Sequence, residues 1–195
     1  MKKNKVLSFY PFSSLYKTPQ FIFLIGVIIC GILAGSFTGL HITDSSRQYI
    51  QKLSEYVFLE ASKKVSLQKI IWNIGCDFIY ITVLFLFSAI WRNAYLTGLL
   101  VAAKGFILSF TICAWIGYAG NHNFIFSLFY AGLPAVFILP AILHLAAIGL
   151  IAANYGKGSR LNQITSYKKE ILFSFFLIIL GNFIKICSLY EFSVK

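Results

Sequence analysis

Tyr95–Ala119, YLTGLLVAAKGFILSFTICAWIGYA, is apolar along its whole length except for Lys104. About 20 residues at a helical rise of 1.5 Å cross the roughly 30 Å hydrocarbon core of a bilayer, so this stretch reads as a transmembrane helix. Lys104 then sits deep in lipid. An ammonium there costs about 2.5–3.5 kcal/mol on insertion scales, which requires that it face protein or water and find a partner.

The rest of the chain agrees with a membrane setting. Of 195 residues, 58% are hydrophobic and only 12% charged, and the mean hydropathy is +0.79. That composition belongs to an all-α polytopic membrane protein and not to a soluble domain. The formal net charge of +11 is interleaved with apolar runs, so it reads as an orientation signal and as contact with anionic membrane lipids, not as a nucleic-acid surface.

Five spans are expected, over 21–40, 70–91, 95–119, 124–153 and 171–190, in a single membrane domain (21–195) behind an N-terminal tail (1–20). The tail carries Lys2, Lys3, Lys5 and Lys17, and the span after it reads as an uncleaved anchor, with a secretory signal as the rival reading. The fourth run is too long for one straight crossing, since 30 residues reach about 45 Å as helix, and Pro134 and Pro140 predict that it is broken. The turn Trp91-Arg92-Asn93 is short enough to make the second and third spans antiparallel neighbours. Five crossings place the termini on opposite sides. Nine Lys and Arg flank the spans on the side of the tail, Arg92 and the 154–170 loop, against six on the other, which puts the N-terminus in the cytoplasm of a multi-pass cell-membrane protein.

In the first span Gly31, Gly35 and Gly39 recur every fourth residue and line one groove, where a second backbone can approach; scattered glycines in a tolerant helix are the plainer account. Gly105 and the nearby Gly98, Ala102 and Ser109 supply small residues on the third span. The polar segment 41–69 has helical order: Ile50, Leu53, Val57 and Ala61 share a face flanked by Tyr49 and Tyr56, behind a Ser45–Gln48 capping box. It reads either as a partner-binding surface outside the membrane, through Tyr49, Ile50, Leu53, Tyr56 and Val57, or as a connector packed on its own protein. Self-association of the chain stays open.

Counting from the cytoplasmic helix ends, Asp77 and Lys104 come within roughly 3 Å of one level, with His144 and Asn182 nearby. One intramembrane polar layer is therefore expected, with Asp77 as partner of Lys104. It serves either as a clasp that fixes helix register, the favoured reading, or as a relay for ions or protons. Lys185, near the outer end of the last span, is expected to snorkel to the interface. No H-E-x-x-H, G-x-S-x-G or phosphate-loop lysine occurs, so no catalytic residue is assigned and no enzyme activity is expected. Cys30, Cys76, Cys113 and Cys187 lack metal-ligand spacing and read as small apolar packing residues, so no metal or cofactor is expected.

The order of features resembles the stage II sporulation protein M family. The resemblance is carried by GILAGSFTGL (Gly31–Leu40), the polar segment after it, AAKGFILSFT (Ala102–Thr111) and LPAVFILPAIL (Leu133–Leu143). It implies a non-enzymatic membrane scaffold that positions extracytoplasmic partners in envelope remodelling or sporulation engulfment, with peptidoglycan hydrolases as those partners. The competing expectation, from the residues alone, is a permease or transporter subunit using the polar layer.

Overall fold

Thr18 and Pro19 start the first helix. The Thr18 hydroxyl accepts from the Phe21 amide at 3.3 Å and donates to the Leu15 carbonyl at 2.7 Å, while Pro19 at the first helical position gives up an amide that would have had no partner there. From this cap α1 runs over Pro19–Leu40, preceded by a 3-10 turn at Phe12–Lys17. Further helices among the described residues are α2 (Leu67–Ala89), α3 (Ala94–Tyr118), α4 (Leu133–Ala153), α5 (Lys157–Ser166) and α6 (Lys168–Ser193). This computed structural model describes residues 12–43, 46, 48–50, 52, 67–89, 93–118, 125, 128–155 and 157–193.

The chain is an all-α polytopic protein. Among the described residues four helices are long and apolar enough to cross a membrane: Pro19–Leu40, Ala94–Ile116, Leu128–Ala153 and Lys168–Ser188. The fifth expected span falls on α2, 23 residues long, whose apolar stretch among the described residues is Ile74–Ala89 with Asp77 inside it.

α4 is the hub. In its most apolar window 72% of residues are buried, against 28%, 22% and 28% for the other three crossing helices, whose outer faces carry Ile22, Leu33, Leu99, Ile107, Leu172 and Phe176 exposed as lipid-facing residues are. A helix apolar on every side belongs at the centre of a bundle. Its packing requires small residues at close crossings: a side chain at Gly149 would meet the Ser88 hydroxyl of α2, and one at Gly181 of α6 would come within 2.7 Å of Ile138 Cγ1. α6 runs antiparallel to α4, with Gly181 beside Ile138 and the Ser188 hydroxyl donating to the Phe129 carbonyl at 3.0 Å.

The glycine groove of α1 lies against α3, the most extensive helix pairing in the structure. Gly31, Gly35 and Gly39 are all buried. A Cβ at Gly31 would strike the Ala102 carbonyl, one at Gly35 the Phe106 carbonyl and the Ser109 hydroxyl, and one at Gly39 would stand 2.9 Å from Cys113 Cβ. From the other side a Cβ at Gly105 would stand 3.0 Å from the Ile28 carbonyl. Ser109 donates across the contact to the Ile32 carbonyl at 2.9 Å. Contacts rise together in both numberings, so α1 and α3 run parallel, as first and third crossings must.

α2 and α3 meet as antiparallel neighbours, Asp77 with Lys104 and Tyr80 with the Leu100 carbonyl, and the glycine groove of α1 packs on α3 as well. Several other expectations need correction. The fourth run changes from a π turn (Leu128–Gly132) to α-helix at Leu133, where Pro134 occupies the first turn and lacks an amide that is unneeded there. Pro140, by contrast, lies partly buried inside a continuous helix. The 154–170 loop is mostly the helix α5. Cys30, Cys76 and Cys187 are exposed on the helix surfaces, and Cys113 alone of the four packs at a tight crossing, against Gly39.

Candidate functional site

Asp77 on α2 is 8% exposed and holds two ammonium groups from two other helices. Its Oδ1 accepts from Lys104 Nζ of α3 at 2.9 Å, and its Oδ2 lies 4.0 Å from Lys185 Nζ of α6. The first contact is a charge-assisted hydrogen bond; the second is an ion pair at longer range. Each lysine also lies over an aromatic ring, Lys104 5.0 Å from the centre of Tyr80 and Lys185 5.4 Å from that of Tyr130, within reach of a cation–π attraction. Tyr80 itself is fixed by donating its hydroxyl proton to the Leu100 carbonyl of α3.

The cluster opens into a cleft of about 150 Å³. Asp77, Lys104, Lys185 and Tyr130 form its polar end; Leu108 and Ile107 of α3 and Pro134, Ile138 and Leu139 of α4 are among its apolar walls. Charge is unbalanced there, with two ammonium groups against one carboxylate.

The expected polar layer is thus only partly assembled. Asp77 and Lys104 meet, but His144 and Asn182 do not join them. His144 stands toward the opposite end of α4, where its Nε2 is 3.1 Å from the Tyr16 hydroxyl and its ring packs near Phe21 and Phe173, with centroids 5.8 and 6.4 Å away. Asn182 turns back on its own helix, donating to the Ile178 carbonyl at 3.0 Å, and its buried Oδ1 has no hydrogen-bond partner among the described residues. His144 meets Phe173, 12 residues before Lys185 on α6 and so about 18 Å along the axis, which puts it at another depth than Asp77; for Asn182 the miss is in which way round its helix the side chain points.

Lys185 does the reverse of snorkelling: it points inward. It lies about 12 Å from the C-terminal end of α6 and Asp77 about 15 Å from the N-terminal end of α2 at 1.5 Å per residue. Tyr80, three residues after Asp77, and Tyr130, in the π turn, carried no sequence signal of their own.

Of the expected partner-binding face, Tyr49 is 70% exposed and Ile50 half-buried, while Leu53, Tyr56 and Val57 lie outside the described residues. Among the described residues no three His, Cys, Asp or Glu side chains gather as metal ligands would.

These features define an all-α integral membrane protein with a charged cleft between its helices. No family model matches the chain, and neither the curated proteins nor the solved structures contain a match to it. The resemblance to the stage II sporulation protein M family therefore rests on the quoted stretches alone.

Proposed function

We propose that this chain is a non-enzymatic, multi-pass cell-membrane protein of the permease or transporter-subunit class, whose cleft around Asp77, Lys104 and Lys185 admits a ligand. One observation carries this reading: the intramembrane acid is shared between two lysines at the end of an open cleft, where a simple clasp needs one cation and no cavity. Ionisable groups inside a membrane are costly, and they mark substrate and ion pathways. The N-terminus and α5 lie in the cytoplasm on the balance of flanking positive charge. The test is flux in proteoliposomes carrying an internal pH dye, with carboxylate gradients imposed across them. Wild-type protein is expected to move solute or protons, and folded Asp77→Asn to lose that movement; equal flux in both rejects the reading.

A second reading, the scaffold, is favoured by Tyr49, which stands 70% exposed just beyond α1. Here the segment 41–69 presents Tyr49, Ile50, Leu53, Tyr56 and Val57 to extracytoplasmic proteins, peptidoglycan hydrolases by the family resemblance. Charge reversal on that face should release co-purifying proteins; an unchanged set of partners and unchanged localisation speak against it.

A further inference from the structure

Lys185 has an unusual position for a buried cation. Its side chain is 20% exposed, its nearest opposite charge is Asp77 Oδ2 at 4.0 Å, and that carboxylate already accepts a hydrogen bond from Lys104 at 2.9 Å. No described residue hydrogen-bonds to the Lys185 ammonium; besides Asp77 it has only the ring of Tyr130, whose centre is 5.4 Å away. An ammonium removed from water needs hydrogen-bond acceptors, and three donors here find none among the described residues. The cleft beside it supplies the space.

We propose that this cleft is a binding site for one singly charged oxyanion, a carboxylate or a phosphodiester, held between Lys185 and Lys104. The charge count sets the stoichiometry: two ammonium groups and one carboxylate leave a single positive charge, which one monoanion neutralises. The volume of about 150 Å³ is well below the roughly 300–1,000 Å³ that encloses a drug-sized ligand, so the cleft takes a head group and not a whole large solute. Its walls are apolar, and Ile107, one of them, is 60% exposed on the lipid-facing surface of α3. That side gives a hydrocarbon tail a way out into the bilayer. The same oxyanion comes from two sources, a lipid head group or a free solute.

The inference rests on reading the cleft as a ligand site, and binding is measured apart from flux. Thermal unfolding of the full chain in neutral detergent is followed with dioctanoyl phosphatidylglycerol, with dioctanoylglycerol, and with sodium acetate. The phosphatidylglycerol should raise the melting temperature where dioctanoylglycerol, a lipid with the same tails and no phosphate, does not. Lys185→Gln, which keeps the Asp77–Lys104 pair, should weaken that effect about tenfold or more, and Lys185→Arg should retain it. Stabilisation by acetate at matched concentration, lost in Lys185→Gln, supports the oxyanion site and assigns it to a free solute. Equal stabilisation by the two lipids with none by acetate overturns the proposal, and this comparison on the unaltered chain stands even if a variant fails to fold. Undiminished binding in folded Lys185→Gln overturns it as well. Asp77-dependent flux without any oxyanion effect sinks this inference and leaves the permeation reading; binding without flux does the opposite.

Discussion

At the scale of single residues, the central asymmetry is that Asp77 has two cations while each lysine has one acid. Removing Lys104 leaves Asp77 facing Lys185, a balanced pair. Removing the Asp77 charge leaves two ammonium groups facing each other in a low-dielectric cleft. Asp77→Asn should therefore destabilise the protein by about 1–3 kcal/mol and Lys104→Gln by less, measured as melting temperatures in neutral detergent without added ligand. The reverse order would mean that Lys185 contributes little to the cluster. Lys104 shows how far sequence reasoning reaches here. An isolated charge in an apolar run demands a partner, and depth along helices pointed to Asp77. Counted depth misplaced His144, which meets Phe173, 12 residues from Lys185 on α6, and it could not orient Asn182 around its helix. The third member, Lys185, had to come from the packing of α6 against α4.

At the scale of helices, the four-residue glycine spacing in α1 was legible because it acts through one helix face, whatever the partner. The partner was not legible, since the spacing marks a face of α1 and not the helix that meets it. The approach distances show that it is α3, which also meets α2 through Lys104 and Leu100. Gly35→Ala should cost about 1–3 kcal/mol, because the added carbon meets the Phe106 carbonyl and the Ser109 hydroxyl and backbone must move. Gly26→Ala, four residues short of Cys30 and with nothing within 4 Å of its new carbon, should leave stability unchanged or slightly raised. Ser109→Ala removes the bond to the Ile32 carbonyl and should cost about 0.6 kcal/mol, the average for interhelical hydrogen bonds in a membrane. Melting temperatures of the three variants in one detergent check the order. Equal effects at Gly35 and Gly26 would contradict the parallel α1–α3 packing.

At the scale of the whole molecule, composition alone gave the class, because 58% hydrophobic residues in long runs cannot be buried in a soluble domain of this size. Four of the five expected spans fall on helices long and apolar enough to cross a membrane, and the remaining one falls on α2. Which helix is central was not legible from hydropathy, since α1 and α4 are similarly apolar, with hydropathies of 2.5 and 2.4, and only packing separates them. Orientation follows from flanking charge and is tested with single cysteines in a background where the four native cysteines are replaced by serine. Thr43→Cys should react with a membrane-impermeant maleimide in intact cells, and Lys169→Cys only after permeabilisation; the opposite pattern inverts the topology. In the same background, Thr111→Cys on the wall of the cleft addresses whether the charged cluster is an accessible site or a sealed clasp. Reaction rates are compared for a negatively charged sulfonate methanethiosulfonate and its positively charged trimethylammonium counterpart. An open cleft with one excess positive charge predicts faster reaction with the anion and loss of that preference in Lys185→Gln. A thiol that reacts with neither reagent, or faster with the cation, contradicts it.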